Sequence, residues 1–237
     1  MRDAIARARA SLAEVLVGSP LSRSGTGFAV STAGLIVTCD HVVADATNVV
    51  VNIGGSRYPA TVVARNRAAD VALLRAEAQF QVLPLGSIEQ VQVGDEVLWG
   101  GFPLDSWLPS WHKGMVSFVG DVTPNGVRGV QLDGTVNLGN SGGPVIDPNS
   151  GAAIGIVSSR MGNLSDRLAD DLQKLRYVGG GPGRGSAGIT MSVNGVIVDP
   201  TATLAEAIQH MARSMQLGVG YGVSSEYIAQ LCAGVYP

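Results

Sequence analysis

The sequence predicts an all-β fold with minor helices, built from short antiparallel strands that close two small barrels. Three observations carry this. The chain holds 32 glycines, with aromatic residues at 5% and charged residues at 15%, a balance that suits many turns between aliphatic strands better than a helical bundle. From residue 24 onward, aliphatic runs alternate with glycine-rich turns, the spacing of antiparallel sheets rather than of βαβ units. At 237 residues the chain buries about 70–75% of its unfolded surface, so it needs no disulfide or metal to fold.

The elements follow in order. Ile5, Ala8, Leu12 and Val15 recur at helical spacing, so residues 2–14 read as an amphipathic helix within an N-terminal extension, 1–22. Strands are expected over 27–30, 35–38, 49–53, 58–64 and 71–74, forming a first barrel within 23–103. A second set of strands is expected over 96–99, 115–119, 129–132, 144–146 and 153–158, with the break placed at the proline- and tryptophan-containing stretch 103–111, which bounds the second barrel as 104–237 and leaves 96–99 on the near side of it. Residues 161–217 have a different texture and read as an α/β insertion. Leu164, Leu168, Leu172 and Leu175 share a helical face, a glycine run covers 179–185, and Asn194-Gly195 marks a hairpin turn. Thr203 and Glu206 form a capping-box pattern opening a helix to about residue 217, after which 219–223 returns to strand.

Composition narrows the function. A net charge of -3 and scattered basic residues argue against nucleic acid as a partner. No stretch reaches the about 20 apolar residues of a membrane span, so no membrane partner is expected. Arg7, Arg9 and Glu14 interrupt the region where a secretory leader needs an unbroken apolar core, giving the expectation of a cytoplasmic protein. Cys39 and Cys232 are accordingly expected to be reduced thiols.

The strongest chemical signal is Gly139-Asn140-Ser141-Gly142-Gly143-Pro144. A serine between glycines lets the chain turn sharply and present a hydroxyl together with backbone N–H groups. Ser141 is thus a candidate nucleophile, with an oxyanion hole at Gly139, Asn140 and Ser141 whose donors are the N–H groups of Gly139 and Ser141. Such a serine needs a base, and the chain has three histidines. His41 directly follows an apolar strand; His112 lies in a polar linker beside Trp111 and His210 inside an expected helix. His41 is the candidate. The carboxylate that orients it must be buried, and Asp70 opens the apolar run Val71-Ala72-Leu73-Leu74, whereas Asp40 faces away from its neighbour His41 and Asp45 looks solvated.

Together these residues resemble the trypsin-like serine proteases, most closely the HtrA group. The resemblance covers roughly 24–160 and resumes at 218–228, through Ser24-Gly25-Thr26-Gly27-Phe28, the segments around His41 and Asp70, Val93-Gly94-Asp95-Glu96-Val97, the Ser141 motif, Ile154-Gly155-Ile156 and Gly218-Val219-Gly220-Tyr221-Gly222. The chain order His, Asp, Ser is that family's order. It implies the chymotrypsin-like fold, two Greek-key barrels with the active site in the cleft between them, and serine endopeptidase activity without metal or cofactor. It also implies a specificity pocket based on Thr135 and Val136 and walled by Ser158, Ser159, Arg160 and the strand around Val219. No carboxylate stands among these, so small or medium apolar side chains are expected before the cut bond.

Departures qualify the resemblance. Secreted digestive relatives carry an aspartate before the serine that pairs with a newly cut N-terminus; Asn140 cannot do so, and activation by cleavage is not expected. HtrA proteins carry a PDZ domain after the protease, and with the sequence ending at Pro237 no such domain is expected to regulate it in cis. The expected partner is a protein or peptide substrate, with 161–217 restricting access to the cleft, docking a regulatory protein or second subunit, or forming a plain surface insertion. The competing function is a catalytically silent binding module of the same fold.

Overall fold

A computed structural model describes residues 1–44, 46–103, 108–158, 191–193, 196–198 and 218–235. The chain divides into two compact units, one comprising Met1–Gly162 and Gly218–Pro237, the other Asn163–Leu217. Of the second unit the structure describes a two-stranded antiparallel ribbon, Met191–Val193 paired with Val196–Val198. The helices expected at about 164–175 and 203–217, the glycine run at 179–185 and the turn Asn194-Gly195 lie outside the described residues, as does Asp45.

The first unit holds two closed barrels. The first is built from β1 (Leu12–Val17), β2 (Ser22–Ala29), β3 (Leu35–Thr38), β4 (Val49–Ile53), β5 (Ser56–Asn66) and β6 (Val71–Ala76), in the order β1-β2-β3-β6-β5-β4. The second uses β7 (Glu96–Gly101), β8 (Ser110–Asp121), β9 (Arg128–Asp133), β10 (Pro144–Ile146) and β11 (Ala153–Val157). With the ribbon strands numbered β12 and β13 and Val219–Ser224 as β14, the second barrel runs β7-β8-β9-β14-β11-β10. The two orders are the same Greek-key path. All neighbours are antiparallel, as the alternation of short aliphatic runs and tight turns requires.

Two boundaries differ from expectation. Helix α1 (Arg2–Ser11) ends three residues early, because Leu12–Val17 pairs with β2 on one side and β4 on the other. Leu12–Val17 of the 1–22 segment is therefore barrel wall rather than extension. The helical spacing of Leu12 and Val15 was a coincidence in an aliphatic run whose two ladders outweigh helix propensity. Likewise β7 belongs to the second barrel, pairing with β8 and β10, so that barrel begins before the proline stretch rather than after it.

Strands β7, β10 and β11 read as continuous apolar runs because both faces are buried. Val97, Trp99, Val145, Ile154 and Val157 pack inside the second barrel. Leu98, Ile146 and Ile156 join the larger cluster formed with Phe28, Leu35, Val37, Leu73 and Leu74 of the first. Helix α3 (Ser225–Val235), which the sequence reading missed, continues this contact: it leaves β14, packs on β5, β6 and β11, and buries Ile228 completely. Its start is legible in retrospect, since the Ser224 hydroxyl accepts the Glu226 N–H at 3.2 Å, an N-cap bond.

Candidate active site

His41 stands on a one-turn helix, α2 (Asp40–Val43), that starts where β3 ends. It is not on the strand edge itself. The turn is held by Arg65 of β5, which donates to Asp40 Oδ1 at 3.0 Å and to the carbonyls of Val43 and Ala44 at 3.1 and 3.3 Å. Asp40 therefore points to Arg65 and away from the histidine ring. Arg65 is a residue the sequence offered no signal for.

Asp70 immediately precedes β6 and, among the described residues, is the one non-glycine at positive φ, +56°. Asp tolerates this left-handed region better than most residues, and the twist lets both carboxylate oxygens meet His41. Oδ1 accepts the His41 backbone N–H at 3.0 Å, and Oδ2 lies 2.7 Å from the ring Nδ1. The Ser158 hydroxyl donates to the same Oδ2 at 2.8 Å. Burial acts to raise the Asp70 carboxyl, but the hydrogen bonds and charge of His41 and the Ser158 hydroxyl outweigh it and hold the group below its ordinary value. The carboxylate is buried while a quarter of the His41 side chain is exposed, 25% against 6% for Asp70. This buried anion fixes the ring's orientation and leaves its far nitrogen for chemistry.

The Ser141 loop is anchored to the first barrel. Thr26 of β2 donates its backbone N–H to the Ser141 carbonyl at 2.8 Å and its hydroxyl to the Gly139 carbonyl at 2.6 Å, while accepting the Phe102 N–H at 3.0 Å. Gly142 sits at φ +90°, where a Cβ would lie 1.8 Å from the Thr26 carbonyl oxygen, so only glycine fits. The Val157 carbonyl then joins the two sides: it accepts the Gly142 N–H at 2.9 Å and the Cys39 thiol at 3.2 Å. Asn140 is fully buried with its side-chain amide unpartnered, and Ser141 is buried as well.

The other expected site residues distribute as follows. Val136 packs over Gly220, whose Cβ would meet the Val136 Cγ2 at 2.2 Å, and Val219 beside it is exposed. The Thr135 carbonyl accepts the indole N–H of Trp99 at 3.1 Å. Ser158 is fully buried and its hydroxyl is on Asp70, so its side chain is engaged behind the histidine. Ser159, Arg160 and His210 lie outside the described residues. His112 is on β8 rather than in a linker, stacked on Trp99 with ring centroids 5.7 Å apart, and burial lowers its pKa. Cys39 and Cys232 are free thiols.

Comparison with known proteins agrees with this fold. The chain is 38% identical over 138 residues to a probable periplasmic DegP-like serine endoprotease of Pseudomonas putida, covering 56% of this chain and 28% of that one. It is 34% identical over 170 residues to the mitochondrial serine protease HTRA2 of Bos taurus, covering 65% of this chain and 36% of that one. The chain thus spans about a third of the length of these curated relatives. Its fold matches the solved HtrA-type protease AlgW with tripeptide at a TM-score of 0.68 and 20% identity, over 99% of this chain and 62% of the other.

These relatives overturn the expectation of a cytoplasmic setting, since those matched are named periplasmic or mitochondrial. The charged N-terminal segment behind that expectation is α1 and barrel strand β1, part of the folded body, and carries no information about export. A profile described as the trypsin-like peptidase domain matches residues 25–156, from β2 into β11 and through His41, Asp70 and Ser141. With that span covering more than half of the sequence and both barrels built on one Greek-key path, the chain belongs to the trypsin-like peptidase domain family.

Proposed function

We propose that the chain is a serine endopeptidase acting through an acyl-enzyme intermediate, in an extracytoplasmic compartment such as its relatives occupy. The observation that carries the reading is the His41 Nδ1 to Asp70 Oδ2 contact of 2.7 Å, taken together with a serine loop rich in glycine that Thr26 clamps. His41 Nε2 takes the Ser141 hydroxyl proton as Oγ bonds to the substrate carbonyl carbon, and returns it to the leaving amine. Water then repeats the step and releases the acid. The N–H groups of Gly139 and Ser141 supply the oxyanion hole.

The substrate is a protein or peptide, in keeping with the tripeptide of the solved relative. Val136 over Gly220, next to Val219, supports a pocket for small or medium apolar side chains. Residues 161–217 connect segments that flank this pocket in the sequence, and their role is to restrict access or to dock a regulatory protein or a second copy. A fluorophosphonate probe should label the wild type and not Ser141→Ala, and a peptide library should be cut by the wild type alone. A folded wild type that the probe does not label would favour the silent binding module.

A further inference from the structure

Cys39 has no part in the peptidase steps, yet it stands directly behind them. Its side chain is fully buried, and Sγ, a ring nitrogen of His41 and an Asp70 carboxylate oxygen all lie within 4.8 Å of one another. A thiol, an imidazole and a carboxylate make a mixed sulfur, nitrogen and oxygen donor set, which suits zinc and excludes the all-oxygen preference of magnesium or calcium. Tetrahedral zinc bonds of about 2.0–2.3 Å place donor atoms about 3.3–3.7 Å apart. The Nδ1 to Oδ2 separation of 2.7 Å need only open by a fraction of its length, which a swing of the partly exposed His41 ring supplies. Two further donors are adjacent: the Val157 carbonyl, 3.2 Å from Sγ, and the Ser158 hydroxyl, 2.8 Å from Oδ2.

We propose that Cys39, His41 and Asp70 form a zinc site whose occupation switches the peptidase off. Its effect on activity rests on the reading of His41 as the base; the binding itself does not. Coordination by Nδ1 requires the ring proton to sit on Nε2, and the Cys39 thiol releases its proton to solvent. An Nε2 that already carries a proton cannot accept one from Ser141, and Asp70 faces the ion instead of the ring. Without metal the thiol is an inert filler, since burial first and the Asp70 charge second push its pKa well above the ordinary value.

The test uses cadmium as a spectroscopic stand-in for zinc on the full chain. Wild type and Ser141→Ala should each take up one equivalent and show a thiolate-to-cadmium ultraviolet band that Cys39→Ala lacks. Removing the thiol strands no acceptor, because the Val157 carbonyl keeps the Gly142 N–H. Cys39→Ser, which keeps the volume and the donor, guards against a folding artefact and should also lack the band. Zinc should inhibit the wild type reversibly with chelator, and Cys39→Ala should need at least about tenfold more zinc for the same fractional loss of its own metal-free activity. No band in the wild type, an equal band in Cys39→Ala, or equal zinc inhibition of both would overturn the site. If the wild type lacks peptidase activity altogether, the proposed function fails while the band still decides the metal site.

Discussion

Ser158 and Asp70 come from different barrels, and the Ser158 hydroxyl donates to Asp70 Oδ2 at 2.8 Å. The strand end of the second barrel thereby fixes the carboxylate that orients the histidine of the first. Ser158→Ala should leave the fold intact and lower kcat by about 3- to 30-fold with little change in KM, part of the about 1.5–3 kcal/mol of a hydrogen bond to a charged group. Steady-state kinetics on one peptide would check this; a rise in KM at constant kcat would return Ser158 to the substrate pocket.

Asp70→Asn keeps an oxygen for the His41 backbone N–H but offers an amide to the ring, favouring the wrong tautomer. Turnover should fall by about 10⁴-fold, with the circular dichroism spectrum unchanged.

The same variant tests acid stability. The folded-state carboxyl of Asp70 titrates below its unfolded value, so between the two values the unfolded chain binds more protons. Its contribution is complete above an unfolded pKa of about 3.9 and is lost as pH falls through the lower folded value. Denaturant midpoints measured downward from neutral pH should drop more steeply below about pH 4 for the wild type than for Asp70→Asn. Parallel profiles would mean that Asp70 is not held as a buried anion.

Gly142→Ala places a methyl group 1.8 Å from the Thr26 carbonyl oxygen at φ +90°, so the loop must part from β2. It should destabilise by about 2–4 kcal/mol and abolish probe labelling. Gly54→Ala, at φ +61° with nothing near the added methyl, is the control and should cost about 1 kcal/mol. Similar costs at both sites would show that the conformation alone, and not the Thr26 contact, makes glycine necessary at 142.

Replacing residues 163–217 by a short glycine linker should leave the other compact unit folded and change the ratio of peptide to protein cleavage. Unchanged kinetics on both substrate sizes, with unchanged oligomeric state, would leave that unit without the role assigned to it.

The all-β class, most strands and the three candidate triad residues were legible in the sequence because each is encoded locally. Alternating aliphatic runs, turn glycines, a serine flanked by glycines and a shortage of histidines need no partner to be seen. Strand β1 was misread because helix and strand periods coincide in a short apolar run, and only pairing on two edges decides between them. Tertiary structure alone moved the break between barrels ahead of β7, placed α3 across both, brought in Arg65, and set Thr26 on the Ser141 loop and Ser158 on Asp70. The bonds concerned join residues 113 apart in the chain for Thr26 and Gly139 and 88 apart for Ser158 and Asp70, distances over which local composition says nothing of who meets whom. Distance along the chain likewise hid the closeness of Cys39 to Asp70, which exists only once β3 and β6 lie side by side.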